Sequence, residues 1–379
     1  MSQLQILIQT LCPEGVEYKT LETVCELSRG KVYSKTYIAA NAGNYPVYSS
    51  QTANNGELGR ISTYDYDGEY LTWTTDGAYA GTIFHRKGKF SITNVCGLIA
   101  IKSPDILNIR FLYYWLSIKA QEYVYRGMGN PKLMSNQMAT IEIPMPPLTV
   151  QEEIVRILDL FTNLAAELQA ELQARQKQYE HYRNKLLTFE KDAEGMEWKR
   201  LPDICENLDR RRKPVTASNR TFGPYPYYGA SGIVDYVSSY IFDGNYLLIS
   251  EDGANLLARN TPIAFSISGK NWVNNHAHVL KFQNMFTQKY IEYYINMIDV
   301  SQYVSGGAQP KLNQENLNKI LIPIPPLPEQ QRIVSILDKF ETLVNDLSQG
   351  LPAEIAAVQE QYEYYRNKLL IFSKNKVSA

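Results

Sequence analysis

Between residues 154 and 189 apolar side chains recur at alternating steps of four and three: Ile154, Leu158, Phe161, Ala165, Leu168, Leu172, Tyr179, Tyr182, Leu186 and Phe189, with Arg175 as the one polar intruder. A seam of that period, sustained for about five heptads, predicts a long helix packed on another helix as a coiled coil. A second seam runs Ile333, Leu337, Phe340, Val344, Leu347, Leu351, steps by four to Ile355, and resumes at Val358, Tyr362, Tyr365, Leu369 and Phe372. The additional four-residue step is a stutter. It coincides with Gly350-Leu351-Pro352, where proline breaks or restarts a helix. The spacing therefore predicts one long helix in the first region and a helix–break–helix in the second.

Upstream of each seam the pattern changes. Residues 1–147 and 195–326 are rich in Tyr, Thr, Val and Ile punctuated by Gly, Asn and Asp, which reads as short strands and turns. TIFHRKGKFSITN (82–94) and AFSISGKNWVNN (264–275) each read as a hairpin around a Gly-Lys turn, while 109–124 and 288–304 have helical apolar spacing. Each globular part is thus mixed α+β.

These correspondences form a duplication. IEIPMPPLTVQEEIVRILDLFTNL (141–164) and ILIPIPPLPEQQRIVSILDKFETL (320–343) agree at 14 of 24 positions, and QYEHYRNKLLTF (178–189) and QYEYYRNKLLIF (361–372) at 10 of 12. Fainter matches join EGVEYKTL (14–21) to EGMEWKRL (194–201), Cys25 to Cys205, and Tyr45-Pro46 to Tyr225-Pro226. Asp76-Gly77-Ala78 likewise answers Asp252-Gly253-Ala254, and Pro131-Lys132-Leu133 answers Pro310-Lys311-Leu312. The expected layout is a domain at 1–147, a helix at 148–194, a second domain at 195–326 and helices at 327–379. A pseudo-twofold repeat of this kind pairs its helices as an antiparallel coiled coil. Proline runs precede both helices, and their recurrence favours anchoring over a solvated linker.

Composition narrows the class. Among 379 residues, 44% are hydrophobic and 20% charged, as in an ordinary globular protein. No apolar run is long enough for a transmembrane helix, and the N-terminus does not read as a signal peptide. Four scattered cysteines without a CxxC pair suit free thiols in a reducing cytoplasm. Tyrosine is abundant at 28 residues, which suits wet interfaces but equally the filling of strands and seams. The net charge of −1 argues against a simple nucleic-acid binder. Divided by region, however, the helical segments carry the acidic excess and leave both globular parts weakly basic.

No catalytic constellation emerges. There is no P-loop, dinucleotide fingerprint, GxSxG or Asn/Asp-Pro-Pro-Tyr/Phe motif, and His276 and His278 have no third metal ligand in view. Any chemistry this protein serves is expected on another chain. Candidate DNA contacts are the basic run Arg210, Arg211, Arg212 and Lys213, the hairpin residues Arg86, Lys87, Lys89 and Lys270, and two corresponding loops. Those loops, GMGNPK (127–132) and GGAQPK (306–311), offer Asn130 and Lys132, and Gln309 and Lys311, beside glycines that permit close backbone approach. Solvated charge and purely structural turns are the competing readings.

The duplicated IPxPPL…Q…IVxILDxF and QYExYRNKLLxF motifs, the AAEL-QAEL run (165–172) and GLPAEI (350–355) together resemble the specificity (S, HsdS) subunit of type I restriction–modification systems. The resemblance implies two target recognition domains, each reading one half of a bipartite site in double-stranded DNA. It implies helices that set the spacing and dock two modification (methyltransferase) subunits, with restriction subunits joining as translocase and nuclease. S-adenosylmethionine, ATP and magnesium would belong to those partners, with no cofactor or metal on this chain. Tetrapeptides such as 165–168 and 169–172 would act as spacing units, since four helical residues span about 6 Å. The competing reading is a coiled-coil scaffold with two protein-binding domains.

Overall fold

The computed structural model describes residues 3–127, 129–190, 195–307 and 309–375. The chain divides into two compact units, one joining Met1–Glu167 to Ala356–Ala379 and the other made of Leu168–Ile355.

In the first unit, β1 (Tyr18–Thr20) is followed by β2 (Cys25–Arg29), β3 (Ala42–Tyr48), β4 (Glu57–Ile61), β5 (Tyr66–Thr74), β6 (Ile83–Ile92), β7 (Cys96–Ile101) and β8 (Glu142–Pro144). Strands β2 to β7 form one sheet in the order β2-β7-β5-β6-β3-β4. Neighbours are antiparallel except β3 and β6, which run parallel with Val47 opposite Ser91. Helix α1 (Ile109–Lys119) starts where the Asn108 side chain accepts from the Arg110 and Phe111 amides, a standard N-cap. Its buried Phe111, Leu112, Trp115 and Leu116 share a core with Leu71, Trp73 and Ile99. A smaller cluster of Phe90, Ile92, Cys96 and Leu98 is covered by Tyr48, Tyr66 and Tyr70. Part of the tyrosine excess is therefore sheet packing.

The second unit repeats the plan with broken strands: β9 (Glu197–Arg200), β10 (Glu206–Asn207), β11 (Tyr225–Gly229), β12 (Gly232–Val237), β13 (Phe242–Asp243), β14 (Tyr246–Ser250), β15 (Ala264–Ile267), β16 (Lys270–Val273), β17 (Ala277–Lys281) and β18 (Leu321–Ile324). They assemble as β10-β17-β14-β15 and β12-β11-β16-β13. Helix α3 (Met285–Met297) stands where α1 does, capped by Asn284. The expected hairpins at 82–94 and 264–275 are corrected by both units. In the first, Gly88 (φ 92°) bends the continuous β6, which pairs with β5 on both sides of the bend. In the second, Gly269 (φ 73°) separates β15 from β16, and these pair with different strands rather than each other. A glycine between apolar runs marked a bend rather than a turn.

The heptad seams are helical except at their ends, where Phe189 and Phe372 lie just beyond the last helical residues. Helix α2 spans Leu148–Leu187, and the second region holds α4 (Leu327–Asn345) and α5 (Leu351–Leu369) on either side of the expected break. Ala165, Leu168, Leu172 and Arg175 are each half-buried between exposed neighbours, so Arg175 keeps the seam's phase. Phe161 stacks on Tyr365 at 5.3 Å in the first unit, and Tyr182 on Phe340 at 5.7 Å in the second. Leu347 departs from the expected seam. It lies in the break and is 83% exposed. Gly350 is buried there, where a Cβ would lie 2.4 Å from the Thr342 carbonyl oxygen. Asp346 accepts from the Ser348 amide and hydroxyl, and these bonds hold its pKa down to about 2.

The proline motifs are docked rather than solvated. Strand β8 pairs with β1, and β18 with β9. Buried Gln151 donates to the Pro146 and Ile106 carbonyls at 2.8 and 2.9 Å and accepts from the Asn108 amide at 2.8 Å. Its counterpart Gln330 donates to the Pro325 carbonyl at 2.7 Å and accepts from the Thr287 hydroxyl at 2.8 Å. About two turns further along, Tyr114 donates to Asp159, and Tyr293 to Asp338 at 2.6 Å. The repeated Gln and Asp of the motif thus tie each helix to the domain preceding it. Gln330→Leu strands a buried carbonyl and a hydroxyl, so thermal or chemical melts should show a loss of about 1–3 kcal/mol. A surface substitution such as Gln359→Leu should change little.

Candidate nucleic-acid interface

The two candidate loops are built on the same backbone bonds. In the first unit Lys132 and Tyr125 exchange amide–carbonyl bonds at 3.0 and 2.8 Å, and the Gly77 amide donates to the Pro131 carbonyl at 3.0 Å. In the second, Lys311 and Ser305 exchange them at 2.7 and 2.8 Å, and the Gly253 amide donates to the Pro310 carbonyl at 3.1 Å. Gly77 and Gly253 have φ of 96° and 110°, a region L side chains rarely adopt. The faint Asp-Gly-Ala and Pro-Lys-Leu matches in sequence are therefore one structural feature, a loop clipped to a strand end. Asn130, Lys132 and Gln309 are exposed, as is Lys311. Met128 and Ala308 of these loops lie outside the described residues.

The basic run is split by the fold. Arg210, Arg211 and Lys213 are exposed, with the Arg211 guanidinium 4.9 Å from the Phe242 ring centre. Arg212 turns inward, pairing with Glu251 at 2.6 Å and donating to the Ala277 carbonyl at 2.8 Å. Lys311 reaches the other Glu251 oxygen at 3.2 Å. Beside them, fully buried His278 places Nδ1 2.6 Å from Asp209 and Nε2 2.8 Å from the Leu312 carbonyl. Both ring nitrogens lie within hydrogen-bond distance of acceptors, so the ring is fixed from both sides. Asp209, Glu251 and His278 lie close enough to suggest metal ligands. Yet both His278 ring nitrogens already have hydrogen-bond partners within the protein, and Glu251 already faces two cations. The cluster is a salt-bridge network bracing the loop and the basic run. Burial pushes the Asp209 carboxyl up, but His278, the Val279 amide and Arg212 outweigh it and hold the net pKa low. Glu251 is depressed in the same way, burial being outweighed by Arg212, His278 and Lys311.

The first unit solves the same problem differently. Where Ile249 faces His278 across β14 and β17, Trp73 faces Gly97 across β5 and β7. The Trp73 indole donates to the Leu133 carbonyl at 2.9 Å, doing for that loop what His278 does for the other. A Cβ on Gly97 would lie 2.2 Å from the indole.

The hairpin candidates separate as well. Lys87 and Lys89 are exposed on β6 and Lys270 on β16. Arg86 is an interior residue, 2% exposed, with its guanidinium carbon 3.6 Å from the Tyr48 ring centre and 4.4 Å from that of Phe84. Its place on the sheet side lined by Tyr48 and Phe90 explains the burial, which lowers its pKa. Burial also pushes the Cys25 and Cys205 thiols up to about 12, so neither is a reactive thiolate at neutral pH. Among the described residues, no helix is long and apolar enough to cross a membrane.

The family described as the type I restriction modification DNA specificity domain matches this chain twice, over residues 13–175 and 193–357, and the chain belongs to that family. The family is the specificity subunit of these systems and is not itself catalytic. A putative type I specificity subunit of Mycoplasma pneumoniae is 32% identical over 366 residues, covering 94% of this chain and 98% of the relative. A putative type I restriction enzyme specificity subunit of Haemophilus influenzae is 34% identical over 388 residues, covering 94% and 96%. The fold is similar to the crystal structure of the S subunit of a type I system from M. genitalium, with a TM-score of 0.64, 15% identity, and 94% and 96% of the two chains covered.

Proposed function

We propose that this chain is the sequence-specific DNA-binding subunit of a type I restriction–modification complex, with each globular domain reading one half of a bipartite site. Its helices set the distance between the half-sites and dock two modification subunits, to which restriction subunits add. S-adenosylmethionine, ATP and magnesium are used by those partners, in the cytoplasm, and this chain supplies recognition alone. The observation that carries the reading is a pair of clipped loops, alike in backbone bonding and unlike in side chains, in a chain matched twice by one specificity-domain family. Constant scaffolding with variable contact residues is what two readers of different half-sites require.

Methylome sequencing of the host with and without this gene tests the proposal. Loss of a single bipartite adenine motif is the expected result. An unchanged methylome in a host with active modification subunits would overturn it, as would methylation by the purified chain alone with S-adenosylmethionine and DNA.

A further inference from the structure

One exposed constellation occurs in both units. In the first, the Tyr45 and Tyr64 rings meet edge to face at 5.0 Å and 66°, and the Lys89 ammonium lies 4.7 Å from the Tyr64 ring centre. In the second, Tyr225 and Tyr240 meet at 5.0 Å and 63°, and the Lys270 ammonium lies 4.8 Å from the Tyr240 ring centre. The fold produces both. Parallel β3 and β6 set Val47 opposite Ser91, and two residues earlier on each strand stand Tyr45 and Lys89. Parallel β11 and β16 set Tyr227 opposite Trp272, and two residues earlier stand Tyr225 and Lys270. The third member arrives on the segment entering β5 or β13. Both lysines also share one antiparallel partner, an aspartate, Asp67 or Asp243.

Neither trio is core. Tyr64 and Tyr240 are 42% and 41% exposed, and both lysines are exposed. Among the described residues Lys89 has one acidic neighbour, Asp67, at the limit of pairing at 3.9 Å. The surrounding surface has diverged, yet these side chains keep the same geometry across intervening segments of different length. A device repeated unchanged in two domains that read different bases cannot be what tells those bases apart. It suits the part of the ligand common to every sequence, the phosphodiester. An ammonium held over a phenol ring supplies a fixed positive charge, and the phenol hydroxyls add donors, the groups that anchor phosphate oxygens.

We propose that each Tyr-Tyr-Lys trio is a DNA-phosphate contact, blind to base sequence, which the two domains make at corresponding places. The proposal rests on the DNA-binding reading above and specifies one part of it.

Binding of the complex reconstituted with its modification subunits is measured against salt, on a duplex carrying the methylome motif and on a scrambled duplex. Lys89→Gln and Lys270→Gln should each lower the slope of log K on log salt by about one, and the pair by about two. Affinity should fall by the same factor on both duplexes, with the methylated motif unchanged, and Lys89→Arg should restore the slope. Because both lysines are exposed, melting temperatures should match wild type, which separates lost contact from lost fold. An unchanged slope, or a loss confined to the motif duplex, overturns the proposal. A wild-type complex that does not prefer the motif duplex overturns the DNA reading itself and the proposal with it.

Discussion

Deleting residues 169–172 from α2 is expected to shorten the unread spacer of the methylated motif by no more than about two base pairs, or to abolish recognition. Four residues span about 6 Å of helix and turn it through about 40° beyond a full rotation, against about 3.4 Å of duplex per base pair. The deletion also changes the seam. Leu168 would be followed by Arg175 after a single step of three, where a four and a three stood before, and Glu171, the ion-pair partner of Arg175 at 3.2 Å, would be lost. Length, phase and one surface pair all change at a place where no domain core is touched. Methylome sequencing of the deletion strain reads the outcome directly. A motif with unaltered spacer would remove the helix from the role of ruler.

Asp209→Ala should be the most damaging single substitution in the second unit. It leaves the His278 ring buried without its carboxylate partner, and leaves Glu251 alone to face Arg212 and Lys311 in this network. Breaking a buried pair from one side costs about 3–5 kcal/mol, on the order of 10 °C in melting temperature for a unit of this size. Calorimetry checks it, and a wild-type melt would show that the network contributes no stability. The acid response follows from the same groups. Asp209 and Glu251 have depressed pKa values. Their contribution is therefore present above the ordinary carboxylate range and is lost as pH falls through the lower folded values. The wild-type chain should lose stability below about pH 4, and Asp209→Ala should lose less over that range.

Much of this architecture was legible in the sequence because it is periodic or repeated. The heptads of α2, the restart at Pro352 and the two loops at 127–132 and 306–311 were visible as spacing or as internal matches. The buried network was not. Asp209, Arg212, Glu251, His278 and Lys311 come from strand ends and loops far apart in the chain, and no period connects them. Trp73 with Gly97 and Ile249 with His278 hid one another, since a large residue moved from one strand to its neighbour looks like unrelated divergence at both positions. Charge misled at Arg86 and Arg212, where aromatic rings or a buried carboxylate hold the guanidinium inside. The tyrosine–lysine trios escaped notice because the segments joining their members differ in length between the copies.

The first unit draws on two distant stretches of chain. Its sheet and α1 precede residue 168, but the Val16 amide bonds to the Ser373 carbonyl at 2.8 Å, Tyr18 donates to the Phe372 carbonyl, and Leu370 is buried in the same core as Phe111. The second unit is contiguous and complete once residue 355 has been made. The order in which the two units have all of their chain is therefore inverted relative to the order in which they begin. The unit translated later can close first, while the earlier one waits with an unfilled seam for residues 356–375. That delay is a long loop closure, and it makes the first unit the stage at which nascent chains are most exposed to chaperones and proteases.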